Sequence, residues 1–252
     1  MLKEKCNKKI TFFSSQSSDD ENFKILINRL KKRYRIKKFY STIFEKFKNQ
    51  KKFKEDKEKF LFNKFKKIIL NSNLIITGSA KHNYEKKLWK ISKNLNIKTL
   101  CLVDSWVNLD FRFNKQNYPN FIIFPNDKIK FNLLSYLKKN CKLNYLGQPY
   151  LEKISNINFS TKEQNILFLS SRQNYSEDLN IMRKILKEYS KFKVILKIHQ
   201  KDKGRKWFKD LKKRKIKNLI ISSKPLNILL LKTKYVFGIY TMGLLVSIIA
   251  KK

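Results

Sequence analysis

Residues 234–252 read KYVFGIYTMGLLVSIIAKK, and they hold the residue types of a phosphate-binding turn. The apolar run 235–238 suits a short strand, Gly238 permits the turn after it, and Thr241 stands where a helix N-cap belongs. A strand, a tight turn and a helix N-terminus present unpaired backbone N–H groups and a positive dipole end, which attract an anion. Gly243, in the first helical turn, leaves room for a ligand to approach the backbone. Leu244, Leu245, Ile248 and Ile249 share one helical face, so most of this stretch serves the core. Burying each of them is worth roughly 1.5–3 kcal/mol, against about 0.3–1 kcal/mol for a phosphate at a helix end. The site is thereby confined to Gly238, Thr241 and Gly243. Residues 235–250 carry no charge, but they fall short of the roughly 18–20 residues of a membrane span and enclose a glycine turn.

A second set of candidates stands upstream. Lys197-Ile198-His199-Gln200 closes an apolar run, and strand alternation puts Lys197 and His199 on the side away from Ile198. An ammonium beside an imidazole suits a pyrophosphate or a charged leaving group, although a lone histidine also serves a core. Ser170-Ser171-Arg172 follows another apolar run and would add donors to the same ligand. In the first half of the chain, residues 14–20 (SSQSSDD), Gly78-Ser79 and Asp104-Ser105-Trp106 fall at expected strand ends, where ligands of α/β sheets bind. Asp104 is the candidate general base for activating a hydroxyl, with capping of the next turn as its structural alternative. Gly78, Ser79 and Trp106 would line the acceptor side, Trp106 by stacking on a sugar or, more plainly, as core. Asp110 and Arg112 read as a pair that holds its loop.

Alternating elements must position these residues. Strands are expected over 9–13, 74–77, 99–103, 121–124 and 143–146, with helices over 22–33, 81–95 and 127–139. Residues 31–67 are almost continuously basic with interspersed phenylalanines, and read as a basic helical segment. Residues 149–164, with Pro149 and many Asn and Ser, read as a linker. The rhythm then repeats, with strands over 165–169, 193–199, 218–222 and 235–238 and helices over 176–189, 204–214, 225–231 and 241–252. Near-continuous apolar strands alternating with helices imply parallel sheets covered on both faces. The expected class is α/β with two Rossmann-like lobes: 1–148 on the acceptor side and 165–252 binding the nucleotide.

Composition narrows the partners. The 252 residues include 59 Lys and Arg against 19 Asp and Glu, a formal charge of +40 that attracts nucleic acid, anionic membrane or phosphorylated substrates. Lys, Asn, Ile and Phe are enriched together, and all have A/T-made codons, so base composition contributes to the lysine count. Cys6, Cys101 and Cys141 are irregularly spaced and indicate neither a disulfide scaffold nor a zinc site. The N-terminus lacks the apolar core of a signal peptide, which points to a reducing cytosol. GxGxxG, P-loop, HExxH and GxSxG signatures are absent, which counts against dehydrogenase, P-loop NTPase, metalloprotease and α/β-hydrolase activities.

The second lobe resembles the nucleotide-binding lobe of GT-B glycosyltransferases, nearest the bacterial sialyl-, polysialyl- and glycerophosphate-transferases of surface polysaccharide synthesis. The resemblance rests on Lys197-Ile198-His199-Gln200, similar to a strand ending in His-Pro, and on Thr241 opening TMGLLVSIIAKK. The stretch LIITGSAKHNYEKKLWKISKNLNIKTLCLVDSWVNLDFRF is similar to sugar-biosynthesis proteins of the same architecture. The resemblance covers about 73–252 and implies that His199 and Thr241 contact the phosphate of a CMP- or CDP-linked donor, a nucleotide-sugar or a CDP-polyol. Gln200 replaces the proline, and Val246 or Ser247 stands where many such enzymes carry a ribose-gripping acid. Those chains continue past the position of Lys252, which implies an incomplete second lobe here. The expectation is a cytoplasmic transferase, peripheral at the inner face of the membrane, acting on a glycan or lipid-linked acceptor. Asp104 and His199 would be catalytic, Lys197, His199, Ser170, Gly238, Thr241 and Gly243 would hold the donor, and no metal or cofactor is called for. The rivals are a basic nucleic-acid-binding protein and an inactive relative of a transferase.

Overall fold

Neighbouring residues of an extended strand face opposite ways, and the aromatic pair that ends β1 (Cys6–Phe13) shows how the first sheet is built. Phe12 meets Phe23 of α1 (Asp20–Leu30), ring centroids 5.2 Å apart, while Phe13 meets Phe65 of α2 (Lys57–Ile69) at 5.5 Å. In β3 (Leu74–Thr77), Ile75 joins the Phe13 side and Ile76 the Phe12 side. The sheet is therefore clad by α1 on one face and by α2 and α3 (Asn83–Asn94) on the other. The computed structural model that gives this fold describes residues 6–15, 19–39, 57–79, 83–104, 109–113, 116–125, 137, 141–171, 175–198, 209, 211, 213, 216–239 and 241–252.

Two compact units result, Met1–Tyr150 and Leu151–Lys252. Among the described residues the first holds a six-stranded sheet, adding β2 (Tyr34–Phe39), β4 (Lys98–Leu102), β5 (Phe121–Phe124) and β6 (Lys142–Tyr145), in the order β2-β1-β3-β4-β5-β6. Every pairing in it is parallel. The short α4 (Leu109–Arg112) follows β4. The second unit has β7 (Ile166–Leu169), β8 (Val194–Lys197), β9 (Leu219–Ser222) and β10 (Tyr235–Gly238), all parallel, in the order β10-β7-β8-β9. Its helices among the described residues include α5 (Pro149–Ser155) at the boundary, α6 (Tyr175–Glu188), α7 (Leu226–Leu230) and α8 (Met242–Ile249). Every residue of β7 is buried, as a central strand requires. The α/β class with two parallel sheets is thus as the alternation of elements indicates.

The structure departs from the sequence reading in three places. Within the stretch read as a basic helical segment, Tyr34–Phe39 is an edge strand, with Tyr34 and Ile36 half-buried and Arg35 and Lys37 exposed. Its period of two was masked by the run of cations, which also guard a sheet edge against unwanted pairing. Residues 149–164, read as a linker, begin with about two helical turns, Pro149–Ser155, whose Ile154 is buried. In α8 the side turned inward carries Val246, Ser247 and Ala250, while Ile248 is 69% exposed. Gly243 lets this helix approach β7 so closely that an added Cβ would lie 2.8 Å from Leu169 Cδ1. Close approach of a small-residue face therefore overrides burial of the larger one. The helix expected over 127–139 and most of that over 204–214 lie outside the described residues.

Candidate functional site

In the first unit, polar side chains gather past the carboxyl ends of β1, β3 and β4. Register sets Phe13, Thr77 and Cys101 side by side, so Ser14 and Gly78 leave the sheet together. Ser14 Oγ donates to Asp19 Oδ2 at 2.6 Å, and Asp19 is 3% exposed. An added Cβ on Gly78 would lie 1.7 Å from that oxygen, so the absent side chain is what admits the carboxylate. Ser15 donates to Glu85 twice, through N to Oε1 at 2.7 Å and through Oγ to Oε2 at 2.8 Å. Arg112 Nη1 donates to Ser79 Oγ at 2.6 Å and forms an ion pair with Asp104, while Ser79 Oγ donates to Asp104 Oδ1 at 3.2 Å. Gln148 Nε2 donates to the Asp104 carbonyl at 3.2 Å. Among the described residues Arg112 Nε is buried without a hydrogen-bond partner.

The electrostatics follow from this crowding. Burial, and next the charge of Asp104, hold the Asp19 carboxyl well above the usual carboxylate range, against the bond from Ser14. Burial pushes Glu85 up to about 7 although Ser15 donates twice to it. The cluster thus pairs an ion-paired Asp104 with two carboxyls biased towards holding a proton, an arrangement suited to proton transfer. Asp104 Oδ1 already has two donors, so abstraction of a proton would fall to Oδ2. Asp110 and Arg112 do not hold each other as the sequence suggested. Two positions apart on a helix, they point to different sides, and Asp104 takes the guanidinium. Burial also raises the Cys101 thiol well above its ordinary value, and its Sγ donates to the Gly78 carbonyl at 3.4 Å.

In the second unit the register row Gly238, Leu169, Lys197 crosses β10, β7 and β8 at their carboxyl ends. It brings Ser170, Lys197, Gly238 and the turn to Thr241 to one edge of the sheet. Thr241, in extended backbone, caps α8: its Oγ1 accepts from Gly243 N at 3.3 Å. The space left by Gly238 faces the Leu169 carbonyl, 2.8 Å from an added Cβ, and that left by Gly243 is taken by Leu169 rather than by a ligand. Ser170 is buried and its N donates to the Lys197 carbonyl at 3.1 Å. Lys197 Nζ donates to the Lys224 carbonyl at 2.7 Å. Buried Asp178 accepts from Ser171 N at 2.6 Å, tying the chain after β7 to α6.

Of the expected site residues, Asp104, Gly78 and Ser79 converge in the first unit, and Ser170, Lys197, Gly238, Thr241 and Gly243 in the second. His199, Arg172 and Trp106 lie outside the described residues. Sequence reasoning passed over Glu85 and the individual role of Asp19. The signal for Glu85 was its place, with Trp89 and Ser92, on the inward face of an amphipathic helix, where an acid needs a partner.

These two units give the chain a GT-B-like fold. Similar solved structures are UDP-N-acetylglucosamine 2-epimerase from Rickettsia bellii and UDP-GlcNAc 2-epimerase from Neisseria meningitidis bound to UDP-GlcNAc. The first is 12% identical over 92% of this chain and 74% of its own, with a TM-score of 0.60. The second is 15% identical over 94% of this chain and 78% of its own, with a TM-score of 0.62. No family model and no curated protein matches the sequence.

Proposed function

We propose that this chain is a glycosyltransferase-like protein that binds a nucleotide-activated sugar or polyol phosphate on its second unit. The observation that carries the reading is the Thr241-capped N-terminus of α8, set beside Gly238 and Ser170 at the carboxyl edge of a parallel sheet. Backbone amides of the first helical turn and the helix dipole favour a donor phosphate there. Thr241 fixes the turn, and Lys197 adds positive charge. A CMP- or CDP-linked donor, a glycan or lipid-linked acceptor, and a place in surface polysaccharide assembly at the inner face of a membrane complete the proposal. Asp104 of the first unit is the proposed base for an acceptor hydroxyl, and His199 is proposed from the sequence to assist the leaving phosphate. Calorimetric titration with CMP, CDP and UDP-GlcNAc tests it. Wild type binds at least one of them, and Thr241→Ala binds it about tenfold more weakly, the scale of a lost N-cap. Equal binding by the variant would refute the site.

A second reading draws on the carboxyl cluster of the first unit and on the fold shared with two 2-epimerases. Inverting the sugar C–H centre next to the anomeric carbon needs a proton removed as the bond to the nucleotide breaks and takes up the electron pair, and a proton returned as that bond re-forms. Asp19, Glu85 and Asp104 supply groups for the two proton transfers. Incubation with UDP-GlcNAc in deuterated water separates the two. Solvent deuterium in the sugar, with the nucleotide bond intact, supports epimerisation, and transfer of the sugar to an added acceptor supports the first reading.

A further inference from the structure

The helical face of the first unit that carries α2 and α3 holds a groove of about 720 Å³. Lys59 of α2 and Lys86, Lys87 and Lys90 of α3 line it, with no acidic residue among the described lining. The apolar part of the lining is Phe62, 47% exposed, over Phe65 and Ile91, which are 0% and 8% exposed. A second hollow of about 320 Å³ continues it, sharing Lys90, Asn94 and Asn117 and adding Lys93. The Lys93 ammonium stands 5.7 Å from the Tyr118 ring centroid. The cations belong to one side of α3, whereas Glu85, Leu88 and Trp89 on the other side are buried.

We infer that this groove docks an anionic phospholipid at a membrane surface, its phosphate among the lysines and the first methylenes of a chain against Phe62. Charge complementarity selects the occupant. A row of cations over an apolar floor matches a molecule whose anionic and hydrocarbon parts are joined, and lysine stems bridge the two environments. A polynucleotide would instead need successive exposed rings on which bases stack, and among the described lining Phe62 is the exposed ring, with Tyr118 half-buried and Phe65 buried. Each lysine near an anionic surface adds to binding, so the groove concentrates attraction that the net charge of +40 would otherwise spread. The inference goes beyond the donor reading and does not depend on it, since it concerns a different part of the first unit and no nucleotide.

Co-sedimentation with vesicles tests it, using phosphatidylcholine alone or mixed with phosphatidylglycerol at physiological salt. Wild type binds the anionic vesicles and leaves the neutral ones. The variant Phe62→Ser/Lys87→Gln/Lys90→Gln binds about 30-fold more weakly, from two lost cations near the surface. Lys191→Gln/Lys193→Gln removes the same charge from exposed positions of the second unit and changes binding less than twofold. Circular dichroism confirms that both variants fold. Equal losses in the two variants, or no binding by wild type, would overturn the proposal. So would a groove variant that keeps vesicle binding but loses binding to a single-stranded oligonucleotide, which would make this a nucleic-acid surface. Loss of vesicle binding with nucleotide titration unchanged would sustain the inference and leave the donor site untouched.

Discussion

Gly78 touches the Asp19 carboxylate so closely that any side chain there must displace it, because an added Cβ would come within 1.7 Å of Oδ2. Overpacking at a tight site costs about 1–3 kcal/mol, so Gly78→Ala should lower the urea midpoint by a corresponding amount, and Asp19→Gly in the same chain should restore part of it. Arg112 presents a second contact with a definite cost. Its removal strands Asp104, and Arg112→Leu should destabilise the fold by about 3–5 kcal/mol, with Asp104→Asn/Arg112→Leu recovering much of the loss. Glu85 makes stability depend on pH. Its carboxyl rises from an ordinary 4.5 to about 7 on folding, so the folded chain binds that proton more tightly than the unfolded one. The gain is complete below about 4.5 and is lost as pH rises through 7, by roughly 3 kcal/mol in all. Urea midpoints at pH 5 and pH 8 should therefore differ more in wild type than in Glu85→Gln, and parallel slopes would contradict the assignment.

At the scale of elements, the parallel sheets were legible because β7 and β8 are short uninterrupted apolar runs whose two faces are both covered. The edge strand β2 was not, because Arg35, Lys37 and Lys38 blur the alternation of Tyr34 and Ile36 within a long basic run. The α8 helix shows another limit: hydrophobicity picked out the face of Leu244, Leu245, Ile248 and Ile249, whereas Val246, Ser247 and Ala250 are the buried residues and Ile248 is exposed. Gly243, Ser247 and Ala250 decide the inward side by size, with Ser247 Oγ donating back to the Gly243 carbonyl at 2.8 Å. The strand-end rule pointed to Gly78, Ser79, Asp104 and Ser170, and the N-cap pattern pointed to Thr241. The pairing of Arg112 with Asp104 and of Ser15 with Glu85 depends on side chains 8 and 70 positions apart, and no local pattern encodes it. Gly243→Val should test the packing of α8, since its branched side chain would collide with Leu169 and push the helix off the sheet. The variant should lose amide protection in α8 and β7, and unchanged protection there would mean that the helix is not held by this contact.

For the whole molecule, charge is the dominant global property. A formal charge of +40 repels itself in the compact state, and added salt screens it with a Debye length of about 10 Å at 0.1 M. The melting temperature should rise between low and moderate sodium chloride, and a fall would show that ion pairs outweigh repulsion. The described residues hold no helix long and apolar enough to cross a membrane. The central functional claim is narrower than this field, namely that a donor phosphate sits where α8 begins. The chain has five glycines, so [15N]glycine labelling gives one amide signal from each and reads that place directly. On titration with CDP, CMP or UDP-GlcNAc, the signals of Gly238 and Gly243 should shift with saturation while those of Gly78 and Gly147 stay fixed. If Gly238 and Gly243 remain unmoved by every one of these nucleotides, the second unit does not bind a donor at that turn.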